Sequence, residues 1–176
     1  MTSMTNVYCI DSSSLIDMQR YYPIKRVQKY WSLLDGLVQN GRLIAPLEVF
    51  KEIAKPYEPY PWCHGHRKAK RLFISRFQGK YTSVQKIISE CPGLIDPNKP
   101  TSTQADPYVI ALVQYAATRL VQSTLNSTRS RNTYIVLTEE QGTGNTNKYK
   151  IPDACKKYNI AYYSMRKLLD LENWTL

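Results

Sequence analysis

Four short stretches of this chain carry carboxylates in settings where they could do chemistry together. Asp11 follows the apolar run Val7-Tyr8-Cys9-Ile10 and precedes Ser12-Ser13-Ser14. Glu48 and Glu52 stand one helical turn apart after Pro46, Asp106 opens a strongly apolar stretch, and Glu139 and Glu140 follow Tyr134-Ile135-Val136-Leu137-Thr138. Carboxylate oxygens are the ligands that Mg²⁺ and Mn²⁺ prefer. One or two such ions can activate a water and neutralise the charge that builds on a phosphodiester under attack. Three or four acids must converge from distant segments for this, and without the ion their mutual repulsion is costly.

Each acid also has a structural explanation. Asp106 before Pro107, and Asp153 after Pro152, fit helix starts, where acids are favoured. Glu48, Glu52 and Glu139 could be solvated. The combination points to a metal site; no single member does.

The elements that must position these acids alternate between strand and helix. The sequence predicts strands at about 6–10, 43–45, 134–137 and 160–163. It predicts helices after Ser12 or Ser13 as cap, then over 27–39, from Pro46, over 66–78 and 82–90, from Asp106, from Ile151, and over 165–171. Asn40-Gly41 closes the second helix. Prolines 56, 59 and 61 break the chain into a loop, and 122–133 reads as an exposed polar loop. Alternation of this kind predicts a parallel sheet covered on both faces, an α/β/α sandwich in which sites gather at the carboxyl ends of the strands. At 176 residues the chain is expected to be one domain, 1–176.

The net charge is +10 and the isoelectric point about 9.4, which favours a polyanionic partner, nucleic acid above all. The charge is uneven. Between Glu58 and Glu90 there is no acid, while Arg67, Lys68, Lys70, Arg71, Arg76, Lys80 and Lys86 fall there. Tyr57, Tyr60, Trp62, Phe73, Phe77 and Tyr81 interleave with them. Cations hold phosphates and aromatic faces stack on unpaired bases; the alternative is a solvated helix face with the aromatics turned inward. No apolar run approaches the roughly 18 residues that cross a membrane, and the first residues lack a signal-peptide pattern. The expectation is a cytoplasmic protein without membrane contact. Cys9, Cys63, Cys91 and Cys155 have no C-x-x-C spacing and read as reduced, buried thiols. Cys63-His64-Gly65-His66 lacks a second cysteine pair that would complete a zinc site.

Tyr8-Cys9-Ile10-Asp11-Ser12-Ser13, Ile44-Ala45-Pro46 through Lys51-Glu52-Ile53, Asp106-Pro107-Tyr108-Val109-Ile110-Ala111 and Val136-Leu137-Thr138-Glu139-Glu140 together form a pattern. Through it the chain resembles PIN-domain proteins, and most of all VapC-type toxin ribonucleases, from about residue 6 to 170. The resemblance implies a PIN-like α/β/α sandwich and Mg²⁺- or Mn²⁺-dependent endonucleolytic cleavage of RNA. It implies that Asp11, Glu52 and Asp106 hold metal, with Glu48 as the competitor of Glu52, and that Ser13 orients Asp11. Glu140 matches the fourth acid position, where the family usually has Asp; Glu139 and Asp153 are the alternatives. The resemblance further implies a cognate antitoxin and a homodimer. Residues 55–103 exceed a minimal PIN domain and form a candidate helical insertion, either RNA-contacting or dimer-forming, with Arg67, Lys68, Lys70, Arg71 and Arg76 as the candidate RNA contacts. The rival readings are a binding module on the same fold with a degraded acid cluster, and a phosphatase using Asp11 as nucleophile. The latter would favour an acid two residues after Asp11, where Ser13 stands.

Overall fold

A computed structural model describes residues 5–53, 59–99, 104–124 and 132–175; the side chains of 119–124 and 146 lie outside the described set. Expectations on 55–58, 100–103 and most of the polar loop 122–133 also lie outside it.

The chain enters β1 (Thr5–Ile10), then α1 (Ser12–Tyr21), α2 (Gln28–Gln39), β2 (Leu43–Pro46) and α3 (Leu47–Glu52). It continues through α4 (Tyr60–Lys68), β3 (Phe73–Ile74), α5 (Lys80–Glu90) and a 3-10 turn at Pro92–Leu94 into α6 (Asp106–Thr124). β4 (Asn132–Leu137), a 3-10 turn at Thr146–Lys148, α7 (Ile151–Lys157), β5 (Ala161–Tyr163) and α8 (Met165–Leu171) follow. The five strands form one parallel sheet in the order β3-β2-β1-β4-β5.

β1 is central, and Val7, Tyr8, Cys9 and Ile10 are buried in succession. A strand buried on both faces reads as a continuous apolar run because helices cover each side. With this strand order, the general right-handedness of crossovers between parallel strands assigns α1–α4 to one face and α5–α7 to the other. Helix packing follows that division: α1 meets α3 and α3 meets α4, while α5 meets α6 and α6 meets α7. The expected α/β/α sandwich is the observed architecture.

Two local expectations are corrected. The helix expected over 66–78 begins at Tyr60, with Pro61 in its first turn, and ends at Lys68. Lys70 adopts a φ of +53°, outside right-handed helical space. The apolar pair Leu72-Phe73 then runs beside β2, where Ala45 N–H donates to Leu72 O at 3.0 Å. The 55–103 segment therefore supplies one of the sheet's two edge strands as well as helices. The second correction concerns α1. Its cap is Asp11, not Ser12 or Ser13: Asp11 is extended and its Oδ1 accepts from Ser14 N–H at 2.8 Å.

Asn40-Gly41 ends α2 as expected. Gly41 takes a φ of +66°, which costs glycine little.

Candidate functional site

The chain winds outward from β1 to β2 and β3, then returns to place β4 on the other side of β1. Strand order therefore reverses between β1 and β4, and the carboxyl ends at such a point frame a crevice that a helix cannot fill. Ile10 pairs with Leu137 in the last register step. Asp11 and Thr138, the next residues, meet there, with Asp11 N–H donating to Leu137 O at 3.1 Å.

Asp11 is 2% exposed. Its Oδ2 accepts from Ser13 Oγ and Thr138 Oγ1, each at 2.8 Å. Burial nevertheless dominates those donors and pushes its carboxyl up to about 6. Glu52, at the end of α3, accepts from the Ser12 hydroxyl and from Ala105 N–H at 2.7 Å. Its pKa is also raised, first by burial and further by Glu140, against the pull of those donors. Asp106 begins α6. Its carboxyl is held well above the ordinary range by burial first, then by the charges of Glu140, Asp11 and Glu52. Glu140 Oε1 accepts from Lys150 Nζ at 2.9 Å and Oε2 from Ile151 N–H at 3.1 Å. Acids from four separate segments thus gather at the carboxyl edge of the sheet, where the charges of Glu140, Asp11 and Glu52 all bear on Asp106. Glu52, Asp106 and Glu140 line a cleft of about 560 Å³ whose other walls include Lys51, Lys99 and Lys150. Asp11 does not line it.

The remaining candidate acids are engaged elsewhere. Glu48 is buried and paired with Lys80, whose Nζ donates to both its oxygens at 2.9 and 3.1 Å. Of the pair one turn apart on α3, only Glu52 faces the cleft. Glu139 Oε1 accepts from Met165 N–H at 2.6 Å and caps the region where α8 begins. Asp153 organises the 143–150 loop through the N–H groups of Thr143, Gly144 and Lys150. Burial opposes its ionisation, but these donors outweigh burial and hold its pKa below the ordinary value. Ser13 holds Asp11 as expected, and its oxygen also accepts from Glu139 N–H at 3.3 Å.

The donor set, carboxylates with neighbouring hydroxyls, is the kind a hard divalent cation takes. Its present placement is not a ligand sphere. Among the described residues no group of three or more His, Cys, Asp or Glu side chains stands ready to hold a metal ion. The oxygens of Asp11, Glu52 and Glu140 are turned onto protein donors.

Three contributors do not stand out in the sequence. Thr138 reads there only as the end of a strand; its signal is a hydroxyl placed directly after β4, beside Asp11. Ser12 reads as a helix cap, yet its hydroxyl donates to Glu52. Lys150 has no local signal, because its role depends on the loop that Asp153 folds.

Arg67, Lys68, Lys70, Arg71 and Arg76 are all exposed. Arg67 lies 4.7 Å from the Phe50 ring centroid. The interleaved aromatics mostly face inward. Phe73 is buried, Trp62 meets Trp31 edge-on at 5.1 Å, and Phe77 leans on Tyr115 at 5.1 Å. Tyr81, at 73% exposure, is the exception among the described members. The four cysteines are free and buried. His66 Nε2 lies 2.8 Å from Asp35 Oδ1, so the Cys-His stretch serves packing and hydrogen bonding.

Fold and site define a parallel α/β protein with an acid-lined cleft at the switch point of its sheet. The chain belongs to the family described as Domain of unknown function (DUF4411), whose model matches residues 8–176. No curated protein matches it. Among the described residues no helix is long and apolar enough to cross a membrane.

Proposed function

We propose that this chain is a divalent-cation-dependent endoribonuclease of the PIN type, acting as the toxin of a toxin-antitoxin pair. The observation that supports the reading is the convergence of Glu52, Asp106 and Glu140 on one cleft at the carboxyl edge of the sheet, with Asp11 buried behind it. Acids gathered at one cleft repel one another, and a bound divalent cation relieves that repulsion.

Asp106, Glu52 and Glu140 would hold the ion from the cleft walls, with Asp11 behind them. A bound Mg²⁺ or Mn²⁺ supplies Lewis-acid polarisation of the phosphate and of the attacking water. The chain's own part is positional. Ser13 and Thr138 fix Asp11, and Ser12 and Ala105 N–H fix Glu52. As the water oxygen bonds to phosphorus, an ester P–O bond breaks. The water proton passes to solvent, and the leaving oxygen is protonated from solvent. Exposed cations from Arg67 to Arg76 draw in the RNA backbone. In this reading the cognate antitoxin blocks the cleft, and the active form is a homodimer in the cytoplasm.

A second reading has a specific observation behind it. Each oxygen of Asp11, Glu52 and Glu140 already accepts from a protein donor, which a non-catalytic RNA-binding module would also display. Incubation of purified protein with labelled single-stranded RNA separates the two. The nuclease reading expects internal cleavage that requires Mn²⁺ or Mg²⁺ and is lost in Asp106→Asn. RNA retention without cleavage under any divalent ion establishes the binding module instead.

A further inference from the structure

Lys150 reaches into the acid-lined cleft and places its ammonium 2.9 Å from Glu140 Oε1. The second oxygen of Glu140 is taken by Ile151 N–H at 3.1 Å. Both oxygens are therefore turned toward the start of α7. The lysine's base is fixed, because its N–H donates to Asp153 at 3.1 Å within the loop that Asp153 organises. Its side chain is 48% exposed, against 19% for Glu140, so the ammonium can leave the cleft while the carboxylate stays. Lys51, another cleft lysine, stands 3.8 Å from Glu48, outside the acid cluster.

We propose that Lys150 is a tethered counter-cation that holds Glu140 out of a metal-binding arrangement, so that a divalent ion must displace its ammonium to complete the site. The inference rests on the cation-dependent reading above and accounts for acids that are gathered without forming a ligand sphere. An ammonium and a hard divalent ion compete for the same carboxylate oxygens and repel each other at close range. The tether lowers the cleft's affinity for the ion and keeps the acid cluster balanced while the ion is absent.

The test is Mn²⁺ binding to the full chain, followed by the electron paramagnetic resonance of free Mn²⁺. Lys150→Met should bind Mn²⁺ on the order of tenfold more tightly than the wild type, within the usual range of site-to-site coupling. Lys150→Arg should stay near wild type, and Lys51→Met should change little. In a Glu140→Gln background the gain from Lys150→Met should vanish, since the two residues act as one pair. Lys150→Gln keeps a polar side chain and reports the same outcome if the Met variant folds poorly. Unchanged or weaker binding in Lys150→Met and Lys150→Gln, with the wild type still binding Mn²⁺, overturns this inference alone. A gain that persists in Glu140→Gln also overturns it, as general charge relief. No Mn²⁺ binding by wild type or variants overturns it together with the cation-dependent reading.

Discussion

Replacing Asp11 with Asn should stabilise the cation-free protein at neutral pH while removing its chemistry. The carboxyl is buried beneath the switch point, and burial lifts it from an ordinary 3.8 to about 6. Between those values the folded chain binds more protons than the unfolded chain, so stability falls as pH rises through the window. Above about 6 the cost is fully present. The difference between 3.8 and about 6 corresponds to about 3 kcal/mol at pH 7. Asn is the neutral isostere. Its oxygen can still accept from Ser14 N–H, and the hydroxyls of Ser13 and Thr138 can rotate to accept from its amide. Most of the cost should therefore be recovered, raising Tm by about 6–12 °C in EDTA at pH 7 for a domain of this size. The gap between variant and wild type should close as pH is lowered toward 4. Added Mn²⁺ should raise the wild-type Tm by mass action. Differential scanning calorimetry at several pH values measures all three. A variant less stable than wild type at pH 7, or a gap independent of pH, would refute the electrostatic account of Asp11.

Three further outcomes follow from the same geometry. Glu52→Gln should reduce RNA cleavage by on the order of 100-fold or more with little change in denaturant midpoint. Lys80→Met, by contrast, should destabilise by about 3–5 kcal/mol in chemical denaturation because Glu48 is left buried without its partner, and Glu48→Gln in that background should restore part of the loss. Changing Lys68, Lys70, Arg71 and Arg76 together to Gln should flatten the salt dependence of single-stranded RNA binding, measured by fluorescence anisotropy, by about 0.7 for each phosphate no longer neutralised; an unchanged slope would remove this patch from the RNA path.

What can be read from the sequence divides along a physical line. β1, β4 and the start of α6 announce themselves through continuous apolar runs, because elements buried on both sides leave no polar positions to blur the pattern. Asp11 and Asp106 are legible for the same reason: each is the polar residue at an end of such a run, whereas the run before Thr138 does not choose between Glu139 and Glu140. Strand β3 is not legible, since two residues carry it and its partner in β2 supplies the hydrogen bonds that define it. The choice between Glu48 and Glu52 is fixed by a lysine 32 positions away from Glu48, and no local pattern encodes such a pair. Lys150 is the extreme case. Nothing around it marks a cleft residue until Asp153 gathers the N–H groups of Thr143, Gly144 and Lys150 and turns the loop back on the sheet. Asp153 is one of the acids the sequence offers as a metal ligand, and its carboxylate is occupied by that loop. It reaches the site through the lysine it positions. Asp153→Asn should therefore loosen Lys150 and Glu140 together, read as faster amide hydrogen exchange at Thr143, Gly144 and Lys150, whereas Lys150→Met removes only the ammonium and should leave those amides protected.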